Sequence, residues 1–173
     1  MNKQLVSHTT KKLFRQLKKY TKKFAKNTAA EDIHRYRVIY KELRARLRMI
    51  GSLNIFADKP IVSKHLKSTY KICGAIRDLQ LQQQRILEAT KQELKKPQAY
   101  ISLLQKEIKK LKPELSEIFL EKPVTESKKK TDASIPDEFQ LNSFRNFVQK
   151  KWGAIYAIIA SRHFSDDNIH AIR

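Results

Sequence analysis

Apolar residues recur at alternating spacings of three and four along nearly the whole chain, and this periodicity constrains its fold more than any other feature. Leu13, Leu17, Tyr20 and Phe24 share one helical face, and Ile33, Tyr36, Tyr40, Leu43, Leu47 and Ile50 share another. Tyr100, Ile101, Leu104, Ile108 and Leu111 follow the same rule, as do Phe144, Val148, Trp152, Ile155 and Ile159. With 3 glycines and 5 prolines in 173 residues, the composition disfavours a turn-rich β-sandwich and a glycine-rich nucleotide fold. The expected fold is all-α, an antiparallel helical bundle.

Caps and breakers place the elements. A first helix is expected over about Gln4–Lys26. Thr28, with Glu31 three residues on, has capping-box spacing and opens a second helix that ends near Gly51. A third runs from Lys59 or Pro60 through Glu88, as far as Lys95 at most. A fourth starts at Pro97, and Pro113 is expected to kink or end it. From Glu121 to Ile135 the composition shifts to Lys, Thr, Ser, Glu and Pro, which predicts a mobile linker. Pro136 and Asp137 then open a last helix that stops near His163. The domain organisation is therefore residues 1–120 as a first bundle, 121–135 as a linker, and 136–173 as a helix and the start of a second half. A short repeat supports duplication: Ile33-His34-Arg35-Tyr36-Arg37 returns as Ile169-His170-Ala171-Ile172-Arg173, each at an expected helix start.

Charge narrows the function. Lys and Arg number 37 against 17 Asp and Glu, a net charge of +20, which excludes an acidic partner-mimic. On the second helix His34, Arg37, Lys41, Arg44 and Arg48 fall within about 80° of one another at 100° per residue, beside the apolar stripe. A Lys-rich helix ordinarily carries a solvated basic face. This stripe abuts the core instead, and its groups repel one another along about 21 Å unless an anion lies beside them. Arginine forks match phosphate oxygens in pairs, so an extended polyanion fits the row. On the third helix Lys64, Lys67 and Lys71 share a face with Gly74 and Asp78. Gly74 marks either close backbone approach or a tolerated imperfection, and Asp78 either orients Arg44 or Arg77 or forms an ordinary salt bridge. Lys64, Lys67 and Lys71 are expected to face the row on the second helix and bind the same anion, with Lys12, Lys19 and Lys23, on the margin of the first helix's apolar stripe, contributing to it.

Ile33-His34-Arg35-Tyr36-Arg37-Val38, continuing through Lys41-Glu42-Leu43-Arg44, together with Gly74-Ala75-Ile76-Arg77-Asp78-Leu79, resembles the two signature segments of the CHAD family, the conserved-histidine α-helical domains. The resemblance implies two related four-helix bundles, of which this chain would supply the first and the start of the second. It also implies binding of inorganic polyphosphate by basic residues, without catalysis. On that resemblance His34, Arg37, Lys41, Arg44 and Arg77 are carried over as anion-binding residues, with His170 and Arg173 as counterparts in the second half. Glu42 departs from the family, which often has a basic residue there. The second signature helix, which in the family continues with further Lys and Arg, stops here at Arg173. A homodimer that completes the packing of this half is a further expectation.

Other chemistries find little support. His8, His34, His65, His163 and His170 have no metal-ligand spacing with Cys or carboxylates, so neither a metal nor another cofactor is expected. His34 and His170 are expected as helix-start residues, phosphate donors, or both. Cys73, the one cysteine, is expected as a small core residue and points to a reducing compartment. No paired catalytic carboxylates, phosphate loop, nucleophile elbow or Glu-x-Glu-x-Lys strand of a tunnel triphosphatase appears, so an enzyme is not expected. Tyr20, Phe24, Tyr36, Tyr40, Tyr70, Phe144 and Trp152 fit core stripes better than a base-stacking platform. Non-specific nucleic-acid binding by counterion release is the alternative to polyphosphate. A scaffold for an acidic protein would need a larger apolar face. No run of about 18 apolar residues occurs, so the expected location is cytoplasmic, without membrane, in association with polyphosphate granules.

Overall fold

Each amphipathic segment becomes a helix that turns its apolar stripe inward. The computed structural model describes residues 3–24, 27–53, 62–92, 97–135 and 141–168. Among them are α1 (Lys3–Phe24), α2 (Ala30–Leu53), α3 (Lys64–Ala89), α4 (Gln98–Leu120), α5 (Pro123–Ser134) and α6 (Leu141–Ser161), with no strand. The fold is an all-α bundle.

α1 buries Val6, Leu13, Phe14, Leu17 and Phe24, and α2 buries Ile33, Tyr36, Tyr40, Leu43, Leu47 and Ile50. Phe24 ties three helices together: its ring meets Tyr36 of α2 edge-on at 5.4 Å and stacks on Phe119 of α4 at 6.2 Å. α2 and α3 run antiparallel, since Gln80 Nε2 donates to Thr28 O at 3.1 Å near one end while Tyr40 stacks on Tyr70 at 4.3 Å midway. α2 begins at Ala30 rather than beside Thr28, and it continues through Gly51. α3 is capped by Ser63, whose Oγ accepts from Leu66 N at 3.2 Å.

Three expectations are corrected. First, of the two outcomes expected at Pro113, the helix end does not occur: α4 runs through it. Its inward stripe continues on both sides, with Ile101, Leu104 and Leu115 buried and Ile108, Leu111 and Ile118 at least partly so. Pro113 itself is exposed, so the backbone bond it cannot make opens to water and packing against α3 carries the helix past it.

Second, the stretch from Glu121 to Ile135, expected as a mobile linker, is largely α5. Its stripe of Val124, Ser127, Thr131 and Ser134 is buried against α1 and α3, and small residues allow that close approach. Ser63 N donates to Ser127 Oγ at 3.0 Å and Ser127 Oγ donates to Ser63 Oγ at 2.8 Å, so the buried hydroxyls are mutually satisfied.

Third, the stripe of α6 is not uniformly core. Phe144 packs against the core and the helix lies on α2, but Trp152 is 54% exposed and Ile159 49%. Periodicity identifies side chains that share a face without saying whether another element covers it. The expected helix start at Pro136 lies outside the described residues.

Candidate functional site: a basic seam between two helices

Arg37 fixes the geometry of the site. It leaves α2 towards α3, where its Nη1 donates to the backbone oxygen of Tyr70 at 3.3 Å and its guanidinium carbon sits 4.6 Å from the Tyr70 ring centroid. The notch that receives it is Gly74. A Cβ built there would fall on Nη1 of Arg37. Of the two meanings left open for this glycine, close approach is the one observed, and a side chain rather than a neighbouring backbone does the approaching.

The remaining cations share the helix faces that flank this seam. At 100° per residue His34, Lys41, Arg44 and Arg48 stand within about 60° of Arg37 around α2, flanking the buried stripe. Arg44 and Arg48 both act on the Tyr40 phenol: burial pushes its pKa up, and their charges pull it partly back. Tyr40 in turn stacks on Tyr70, so these arginines border the same seam as Arg37. On α3, Lys64, Lys67 and Lys71 lie within about 80° of Gly74, on the side away from buried Leu66, Cys73 and Ile76. Arg37 is half-buried, while His34, Lys41, Arg44, Arg48, Lys64, Lys67 and Lys71 are exposed.

On α2, carboxylates sort the cations into two populations. Outside the stripe, Arg35 pairs with Glu31 at 2.7 Å and Arg46 with Glu42 at 3.3 Å. Among the described residues, no ion pair engages His34, Arg37, Lys41, Arg44, Arg48, Lys64, Lys67 or Lys71. Asp78 is exposed and pairs with neither Arg44 nor Arg77. The seam therefore keeps its positive charge.

Arg77 borders a recess of about 690 Å³ with Thr28, Gln80, Gln84 and Lys91, near the start of α2. Lys23 is held by Asp32 at 2.7 Å, which keeps its ammonium pKa above the ordinary value. Lys12 and Lys19 are exposed on α1, which packs on the flank of α2 that carries Asp32, opposite the flank that faces α3. His170 and Arg173 lie outside the described residues. Tyr70 was not among the expected binding residues, although it supports Arg37; its three-residue spacing from Lys67 and position one turn before Gly74 were the available signal.

Two side chains near the seam are chemically quiet. Cys73 is fully buried, and burial pushes its thiol up to about 12 despite the nearby Arg37 charge. Tyr36 is likewise raised well above its ordinary value by burial. Among the described residues, no group of three or more His, Cys, Asp or Glu side chains is placed to hold a metal ion, and no helix is long and apolar enough to cross a membrane.

The site thus consists of an unneutralised cationic seam on an all-α bundle. The chain belongs to the CHAD domain family, whose model matches residues 9–173, essentially its full length. That is a family of binding domains associated with polyphosphate. No curated protein and no solved structure matches the chain.

Proposed function

We propose that the α2–α3 seam holds a strand of inorganic polyphosphate and does not transform it. The observation that carries this reading is the sorting of charge: Arg35 and Arg46 are paired with carboxylates, whereas the stripe from His34 to Arg48 and the lysines of α3 are not. Unpaired like charges in a row repel, and an anion along them relieves that cost. From His34 to Arg48 the row rises about 21 Å at about 1.5 Å per residue, a length suited to an extended chain rather than a single phosphate. Arg37, anchored by Tyr70 and Gly74, presents its guanidinium in a fixed place, while the exposed lysines follow the strand as mobile point charges. The nearest thiol, Cys73, stays protonated and buried, so the seam offers no nucleophile. This ligand goes with a cytoplasmic location and with polyphosphate granules.

The test is competition between long-chain polyphosphate and duplex DNA or RNA at matched phosphate concentration and physiological salt. Polyphosphate is expected to win, and its affinity to fall steeply as the Debye length shrinks from about 10 Å at 0.1 M salt to about 3 Å at 1 M. Preference for nucleic acid would replace this reading with non-specific nucleic-acid binding.

A further inference from the structure

α1 carries no Asp or Glu between Lys3 and Phe24. Its apolar stripe is in the core, and the opposite face presents Lys11, Lys12, Arg15, Lys18, Lys19 and Lys22, all exposed. Among the described residues none of the six forms an ion pair. Two hollows open on this face. One, of about 260 Å³, is lined by Arg15, Lys18, Lys19 and Lys22. The other, of about 150 Å³, lies where Lys18 and Lys22 meet Lys122 and Thr125 over Phe119 and Val124, at the start of α5.

This basic face is separate from the α2–α3 seam. Going around α2 from the basic stripe towards α1, the surface carries Glu31 with Arg35, Glu42 with Arg46, and finally Asp32 with Lys23 of α1. That strip is neutralised. The two positive regions are thus divided by one helix width of balanced charge, about 10–12 Å.

We infer that the α1 face, with Lys18, Lys22 and Lys122 at its centre, is a second polyphosphate-binding track. The choice of ligand rests on the reading of the seam given above; the existence of the track rests on charge and shape of its own. Its cations are almost all lysines, strongly hydrated point charges without a fixed fork, so the track accommodates a flexible phosphate chain in many registers. A strand long enough to pass from the seam around α2 engages both surfaces, and the second contact becomes intramolecular. A short chain fills one surface only.

The experiment measures binding of long-chain polyphosphate and of tripolyphosphate over a salt series, using the full chain and three variants. These are Lys18→Gln/Lys22→Gln/Lys122→Gln, Arg37→Ala/Arg44→Ala and their combination, each checked for unchanged helical circular dichroism. The lysine variant is expected to weaken long-chain binding about tenfold and to flatten the slope of log K against log salt by about two to three. Tripolyphosphate, held mainly by the arginine-rich seam, is expected to change less than twofold. The arginine variant should retain long-chain binding that disappears in the combination. If the lysine variant keeps wild-type affinity and slope for long chains, or if the arginine variant alone abolishes long-chain binding, the second track does not exist and the seam reading is untouched. If instead the arginine variant binds both ligands like wild type while the lysine variant loses long chains, the track stands and the seam reading falls.

Discussion

Arg37 occupies the space that a β-carbon on residue 74 would need, so Gly74 and Arg37 are two halves of one arrangement 37 positions apart in the chain. The guanidinium is thereby brought against the Tyr70 ring and carbonyl on the partner helix, where neither desolvation nor rotation leaves it free to scatter its charge. A glycine in a helix interior costs about 1 kcal/mol relative to alanine. Here it secures the position of a binding cation.

Replacing Gly74 by Ala should therefore separate stability from binding. The alanine gains up to about 1 kcal/mol of helix propensity, and Arg37 gives way by swinging out and losing its contact with Tyr70, worth roughly 0.5–1 kcal/mol. Thermal unfolding should shift little in either direction. Polyphosphate affinity should fall several-fold, by at least half, on a logarithmic scale, of the loss produced by Arg37→Ala. Wild-type affinity in Gly74→Ala would show that the fixed position of Arg37 is irrelevant.

Position rather than net charge should decide affinity. Arg37→Ala/Arg44→Ala and Arg35→Ala/Arg46→Ala each remove two positive charges, but the second pair is already engaged by Glu31 and Glu42. At physiological salt the first variant should lose roughly ten- to a hundredfold in polyphosphate affinity, since charge-assisted contacts are worth about 1.5–3 kcal/mol each and are partly replaced by neighbours. The second should stay within about threefold. Equal losses in a direct titration would show that only total charge matters.

Much of this arrangement is legible in the sequence, for a physical reason. Periodicity at 3.6 residues reports which side chains share a face, so the buried stripe from Ile33 to Ile50 and the flanking stripe from His34 to Arg48 follow from spacing alone. The partner of Arg37 does not follow, because the contact depends on the register of α2 against α3, which no local pattern encodes. α5 escaped for a different reason: its buried residues at 127, 131 and 134 are Ser and Thr, which a hydropathy pattern scores as solvent-facing, although Ser127 finds its partner in Ser63 and Ser134 in the carbonyls of its own helix. Pro113 is the converse case, a strong local breaker overridden by packing on both sides. The ion pairs Arg35–Glu31 and Arg46–Glu42 are i,i+4 neighbours. That the strip they form divides α1 from the seam required the helix order around α2.

The buried thiol makes a prediction about alkaline pH. Burial raises Cys73 from an ordinary value near 9.0 to about 12, so the folded protein holds that proton where the unfolded chain has released it. The unfolded state then binds fewer protons than the native state, and stability must fall with rising pH. The contribution is fully present below about pH 9 and is lost progressively as pH rises towards 12. Tyr36, raised in the same direction by burial, adds to the loss. Denaturant midpoints measured at intervals from pH 8 upwards should decline above pH 9. In parallel, a thiol reagent at pH 8 should label native Cys73 slower than the urea-unfolded chain by on the order of a thousandfold, from thiolate fraction alone. Rapid labelling of the folded protein would contradict the burial of this residue.

The helix over Pro123–Ser134 can be tested through a single hydroxyl. Ser127 Oγ accepts from Ser63 N and donates to Ser63 Oγ, and Ser63 is also the residue that caps α3 through Leu66 N. Ser127→Ala removes the acceptor and leaves the buried Ser63 N–H without its partner, at a cost of about 1–3 kcal/mol. The urea midpoint should drop accordingly with the slope m unchanged, since the surface exposed on unfolding is the same. Lys129→Ala, on the exposed face of the same helix two residues away, should leave the midpoint within about 0.5 kcal/mol of wild type. If residues 121–135 were a loose linker, both substitutions would be equally silent.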